Sequence, residues 1–210
     1  SSSPERFLRL GADRVAESRP IKGTRPRGGT PAEDAALRRE LAESIKDRAE
    51  NSMIVDLVRN DLGRIAEFGS VKVPELLIIE AYATVFQLVS TVRAKLRDEV
   101  DAVALIEACF PGGSMTGAPK IEAMKIISSL EPVQRGIYAG AIGYLDFSGP
   151  LDLSIVIRTL VLKDRRCYFS VGGAVVADSD PGEEYAETLA KAQALIAALR
   201  SVRIKDHRPQ

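Results

Sequence analysis

The pattern of hydrophobic and polar positions opens with a β-hairpin over residues 6–20, in which Phe7 and Leu8 lead in, Gly11-Ala12-Asp13 turns and Val15 returns toward Pro20. Thr30-Pro31-Ala32-Glu33 then announces a helix, with Thr30 as cap, Pro31 in the first turn and Glu33 completing a capping box. Helical periodicity continues, with a break, to about Leu62, and Gly63 and Gly69 close it. Residues 71–73 and 76–88, rich in Val, Ile, Leu and Tyr, read as strands. A short helix is expected over 101–109, a glycine-rich loop over 111–118, and a helix from Pro119 to about Leu130. Three β-like runs follow, 137–147, 151–162 and 167–176, joined by turns at Ser148-Gly149-Pro150 and Lys163-Asp164. A last helix is expected from about Pro181 to Val202, and a frayed tail over 203–210 carries His207. Hairpins mixed with segregated helices predict an α+β fold, a layered antiparallel or mixed sheet flanked by helices.

Composition narrows the class. At 210 residues and 45% hydrophobic the chain is globular and long enough for one domain, or a large part of one. Lys plus Arg and Asp plus Glu number 29 each, so no net field draws the chain to nucleic acid or to an anionic membrane. A small-molecule partner is the default. Cys109 and Cys167 stand apart in apolar surroundings without metal-ligand spacing, which predicts buried, reduced thiols and a cytoplasmic protein. No apolar run approaches membrane-spanning length. The opening Ser-Ser-Ser-Pro, without Met or signal peptide, leads straight into patterned sequence and reads as the start of a fragment.

Several constellations could carry chemistry. Lys22 stands between Pro20 and Gly28 in a stretch read as a turn, with Arg25 and Arg27 nearby. Like-charge repulsion and desolvation would lower its pKa and leave some neutral amine as nucleophile or base; the other reading is a basic surface turn. On the last helix Glu184, Glu187 and Lys191 share a face directed away from an apolar stripe of Tyr185, Leu189, Ala192 and Leu199. Asp47 and Glu50 repeat the acidic spacing on an earlier helix. These pairs are either solvated charged faces or oxygen donors converging on Mg²⁺, and zinc is excluded by the lack of nearby His or Cys. Arg158, read as lying in an apolar strand, needs an anion: an internal carboxylate or a substrate carboxylate. Gly172 and Gly173 leave backbone N–H groups open to a ligand. The loop from Gly112 to Lys120 mimics a phosphate loop, but Ala118 and Pro119 stand where that loop needs Lys and Ser or Thr.

Ser3-Pro4-Glu5-Arg6-Phe7, Pro20-Ile21-Lys22-Gly23-Thr24, residues 50–64 (ENSMIVDLVRNDLGR), 113–120 (GSMTGAPK) and Glu184 with Glu187-Thr188 occur in this order. With these motifs the chain strongly resembles the chorismate-utilising enzymes over nearly its whole length, corresponding to the C-terminal half or so of a typical member. The resemblance implies the chorismate-binding fold, here as a partial domain over 1–202. Lys22, where anthranilate-forming members usually carry alanine, points to the 4-aminobenzoate branch. Residues 46–51 and 110–114 point the same way.

That branch implies that Lys22 adds to C2 of chorismate as the C4 hydroxyl leaves, and that ammonia from a glutamine amidotransferase subunit then attacks C4. The product is 4-amino-4-deoxychorismate, on the route to folate. By position, Glu5 matches the general acid, Glu50 and Glu187 the Mg²⁺ ligands, and Asp47 and Glu184 their outer partners. Tyr138, Arg158, Gly172 and Lys191 match the groups that hold the substrate carboxylates, and Gly23 with Thr24 matches the pocket floor. One departure stands out: Gln87 occupies the position of a histidine frequent in relatives and cannot serve as an acid near neutral pH. The alternatives are an anthranilate synthase component I and a non-catalytic fragment of such an enzyme.

Overall fold

The structure, a computed structural model, describes residues 1–177 and 179–201. The chain divides into two compact units, Pro4–Ile155 and Ser1–Ser3 with Val156–Gln210. The expected tail at 203–210 lies outside the described residues, as does His207.

The first unit carries strands β1 (Arg6–Leu10), β2 (Val15–Arg19), β3 (Ile21–Pro26), β4 (Lys72–Ala81), β5 (Val85–Lys95), β6 (Ala141–Leu145) and β7 (Leu151–Ile155). Its helices are α1 (Pro31–Glu43), α2 (Ile45–Gly63), α3 (Ala102–Cys109) and α4 (Lys120–Leu130). All strand pairings are antiparallel, in the order β3-β5-β2-β1-β7-β6 with β4 added on β5. The α+β expectation holds. β5 is the hub, because β3 pairs along Val85–Val89 and β2 along Val92–Lys95 of one edge while β4 takes the other. Phe86, Leu88, Val89 and Val92 are at most 2% exposed, and Leu41 of α1 packs on Phe86 and Leu88. Closing apolar surface on both faces of one strand is the main driving force of this unit.

The local signals translate directly. Thr30 Oγ1 accepts from the Glu33 N–H at 3.3 Å and Glu33 Oε2 accepts from the Thr30 N–H at 3.1 Å, so the capping box forms as the sequence predicts. The expected break in the helix falls at Ser44, whose hydroxyl accepts from the Asp47 N–H at 3.2 Å and starts α2.

Three expectations are corrected. Lys22 lies on a strand rather than in a turn: Gly23, at φ +78°, makes a bulge in β3 that shifts the register between Ile21 and Thr24. The run 76–88 is not one strand, since the Tyr82 N–H donates to the Val85 carbonyl at 2.8 Å and reverses the chain with neither Gly nor Pro at 82–84. β5 instead runs on to Lys95 through Ser90 and Thr91, which are 0% and 1% exposed and are buried because both hydroxyls are hydrogen-bonded.

In the second unit β8 (Val161–Lys163) and β9 (Arg166–Tyr168) form a hairpin, and α5 (Pro181–Ser201) follows. Asp164 and Arg165 both take φ near +50° to +61°, the geometry of a tight hairpin turn. The expected long strands over 151–162 and 167–176 are cut short. Arg158 adopts φ +49° outside any strand, a left-handed backbone that ends ladder pairing, and Gly172 and Gly173 also lie outside strands. On α5 the buried side chains are Glu184, Ala192 and Leu195, whereas Tyr185 and Leu189 are exposed. The apolar stripe is therefore rotated from the expected one, and Glu184 points into its unit rather than away from it. Cys109 is buried and Cys167 half-buried, both as free thiols. Burial, with the Asp61 carboxylate beside it, pushes the Cys109 thiol up to about 12. No described helix is long and apolar enough to cross a membrane.

Candidate active site

Glu5 precedes β1, and the Ile155 N–H donates to its carbonyl at 3.0 Å, so β7 fixes the backbone at that point. Its side chain turns inward and the residue is 7% exposed. Burial pushes the Glu5 carboxyl above the usual range, although the Ser114 side chain, the Lys22 ammonium and the Ile21 N–H each favour the charged form. Lys22 on β3 is half-buried and its Nζ donates to the Ser114 carbonyl at 3.5 Å. Ser114, in the glycine-rich loop before α4, thus touches both groups. A cavity of about 20 Å³, large enough for one water-sized group, is lined by Glu5, Pro20, Asp61, Gly113 and Ser114 among others.

The helix α2 presents polar groups on its buried stripe. Asn51 is fully buried; its amide donates to the carbonyls of Leu88 at 3.3 Å and Pro20 at 3.4 Å, and its oxygen accepts from the Ser90 hydroxyl at 2.6 Å. Ser90 in turn accepts from the Leu77 N–H at 2.9 Å. This chain of bonds locks α2 to β5, to β4 and to the residue before β3. Glu50, one position earlier, is 8% exposed. Asp47, one turn earlier, accepts from Arg25 Nη2 at 3.3 Å and packs against Gly23, where an added Cβ would meet the Asp47 carboxyl carbon at 2.6 Å. Bare backbone at Gly23 is required by that approach as well as by its positive φ.

The arginines expected to repel Lys22 are compensated instead. Arg25 pairs with Glu40 at 2.7 Å and with Asp47, and Arg27 forms a bidentate pair with Asp34 at 2.7 Å while stacking on Phe86. Thr24 is exposed and lies opposite the buried Gln87 on β5, so the two share a face. Tyr138 is half-buried between α4 and β6.

In the second unit Arg158 Nη1 donates to the Lys191 carbonyl at 3.0 Å, and among the described residues no carboxylate pairs with Arg158. Lys191 Nζ pairs with Glu187 at 2.6 Å and donates to the Gly172 carbonyl at 3.0 Å. Glu184, 8% exposed, accepts from the Ser179 hydroxyl at 2.7 Å, and a Cβ on Gly173 would stand 2.9 Å from its Oε2. Arg158, Gly172, Glu184, Glu187 and Lys191 are therefore gathered on and beside α5.

Asp47, Glu50, Glu184 and Glu187 are hard oxygen donors of the type Mg²⁺ takes. Among the described residues no three His, Cys, Asp or Glu side chains are grouped as a metal requires, and Asp47 and Glu187 are held by cations of their own. Sequence reasoning missed Ser114, Asn51 and Asp61. The signal of Asn51 and Asp61 is polarity where the 3.6-residue period of α2 demands core, since both fall with Glu50 on the same stripe as Ile54, Val58 and Leu62, whereas Ser114 lies in the loop and carries no periodic signal.

The chain is 60% identical over 200 residues to an aminodeoxychorismate synthase of Streptomyces pristinaespiralis, covering 95% of this chain and 28% of that protein. It is 48% identical over 198 residues to anthranilate synthase component 1 of Acinetobacter calcoaceticus, covering 94% of this chain and 40% of that protein. The chain thus spans less than half the length of these curated relatives. The crystal structure of anthranilate synthase component I from Streptococcus pneumoniae superposes with a TM-score of 0.81 at 41% identity, covering 92% of this chain and 42% of that one. Residues 1–197 match the model of the chorismate binding enzymes, and the chain belongs to that family.

Proposed function

We propose that this chain is the C-terminal catalytic portion of an enzyme that converts chorismate and ammonia to 4-amino-4-deoxychorismate. The observation that carries the reading is a buried Glu5 whose environment favours the protonated carboxyl, linked through Ser114 to the Lys22 amine. A carboxyl raised by burial and an amine that meet the same serine supply the acid and the nucleophile the reaction needs. Glu5 protonates the C4 hydroxyl, which departs as water while the Lys22 nitrogen adds at C2. Ammonia then bonds to C4, the ring double bonds shift back, and the lysine leaves as a free amine.

Arg158, unpaired with any described carboxylate, and Lys191 are the cations for the substrate carboxylates, with Tyr138 and the Gly172 backbone as further partners; Gly23 and Thr24 floor the pocket. By the family resemblance Glu50 and Glu187 would hold Mg²⁺, with Asp47 and Glu184 as outer partners, and the ion would supply positive charge against a dianionic substrate. A glutamine amidotransferase subunit supplies the ammonia, and the enzyme works in the cytoplasm on the route to 4-aminobenzoate and folate.

The test joins this chain to the N-terminal portion that its relatives carry. Incubation with chorismate and Mg²⁺ but no ammonia is expected to add mass to the peptide containing Lys22, and Lys22→Ala to abolish that adduct. Anthranilate as product would move the chain to the other amination. Unmodified Lys22 with no turnover in the joined chain would leave a non-catalytic fragment.

A further inference from the structure

The glycine-rich loop that imitates a phosphate loop ends in Lys120, and the structure gives that lysine a different task. Lys120 opens α4 and is largely buried; its Nζ pairs with Asp61 Oδ2 at 2.5 Å and donates to the Cys109 carbonyl at 3.1 Å. Arg64 completes the cluster, with Nη2 3.5 Å from Asp61 and bonded to the Ala108 carbonyl. Cys109 is the last residue of α3, and its carbonyl and that of Ala108 are among those a helix leaves without internal partners. One carboxylate near the end of α2 therefore holds two cations, and these hold the two carbonyls at the end of α3. The loop 110–119 leaves from Cys109 and returns at Lys120, so both of its ends are drawn to Asp61.

Between those ends the loop is pinned again. Thr116 Oγ1 donates to the Gly112 carbonyl at 3.2 Å and Arg135 Nη1 to the Met115 carbonyl at 2.6 Å. What the loop presents is Ser114, whose carbonyl meets Lys22 and whose side chain meets Glu5. Gly113, beside it, lies so close to α2 that a Cβ would stand 3.2 Å from Leu57.

We propose that Asp61 and Lys120 form a clasp that positions Ser114 against Lys22 and Glu5, making both of them positioning residues for the chemistry assigned above. The inference rests on that functional reading for its role in turnover, but not for its geometry. A P-loop lysine contacts phosphate; this one is bonded to a buried carboxylate and a main-chain carbonyl.

The test reads Lys22 directly. Trace acetylation of the folded chain, followed by mass spectrometry of the Lys22 peptide, is expected to show its labelling rate changed about threefold or more in Lys120→Met, because one hydrogen-bonded contact is released. Lys120→Arg, which keeps the charge, is expected to restore most of the original rate. Since Lys120→Met leaves Asp61 buried with one cation fewer, Asp61→Asn combined with Lys120→Met removes both charges and keeps the test valid if the single variant unfolds.

In the joined, turnover-competent chain, the losses of kcat from Ser114→Ala and Lys120→Met are expected to be non-additive by about threefold or more, as groups acting through one contact are. Unchanged Lys22 labelling in folded variants, or additive losses of kcat, overturns the clasp, and loss of fold in both Lys120 variants assigns the pair to stability alone. Absence of turnover in the unmodified joined chain would count against the functional reading, while the labelling result would still decide the clasp.

Discussion

The corner built by Glu5, Lys22 and α2 and the corner built by Arg158, Lys191 and α5 use the same kinds of side chain in opposite ways. In the first, a seven-stranded sheet and four helices bury the Glu5 carboxyl, and also Asn51 and Ser90, which are bonded to each other. In the second, one helix and a short hairpin leave the charged groups partly in water, with side chains of Lys191 and Glu187 29% and 47% exposed. Burial raises the pKa of the Glu5 carboxyl. In the second corner the Lys191 ammonium is held by Glu187 and the Gly172 carbonyl, and the Arg158 guanidinium by the Lys191 carbonyl. On the function proposed above, the difference teaches that chemistry and recognition ask different things of a fold: a thick support that withdraws solvent, against a thin one that leaves charged groups partly in water.

The largest expected effect breaks the first corner. Glu5→Gln should lower kcat by about 10²–10⁴-fold in the joined chain with KM little changed, the usual weight of a positioned acid. The same variant should flatten the dependence of stability on pH. The native carboxyl is raised above its unfolded value of about 4.5, so the native state binds more protons, and stability falls as pH rises from there through the native value. Asp61, also raised by burial, contributes with the same sign. Denaturant midpoints between pH 4 and 8 check this, and an unchanged slope in Glu5→Gln would place the linkage elsewhere.

Arg158→Ala should do the reverse of Glu5→Gln, raising KM for chorismate by about 10–100-fold with kcat within a few fold, since a charge-assisted contact is worth about 1.5–3 kcal/mol. If it lowers kcat and spares KM, the division between the corners fails. A smaller effect is expected from Asn51→Leu, which removes the acceptor of the Ser90 hydroxyl and the amide donor to the Leu88 and Pro20 carbonyls. It should cost about 1–3 kcal/mol of stability, read from urea unfolding of the chain.

Short-range features were legible in the residues themselves. The Thr30–Glu33 capping box, the β1–β2 hairpin, a break in the helical run before Leu62 and the span of α5 rest on near neighbours along the chain, and the structure reproduces each, placing the break at Ser44. The ordered motifs placed the chain in its family, which residues 1–197 bear out. Tertiary structure decided the rest. Lys22 became a strand residue because β5, 68 positions later by the pairing of Ile21 with Val89, offered an edge and Gly23 absorbed the bulge. Ser90 and Thr91 belong to the central strand because Asn51, Leu77 and Glu75 satisfy them. Arg158 left the strand predicted for it through a backbone torsion that no local pattern announced, and Glu184 turned inward although its helix face reads as polar. Periodicity and caps are set by neighbours along the chain, so the sequence determines them alone. Whether a polar group is buried, and which strand edge a segment finds, depends on distant partners that only the folded chain brings into place.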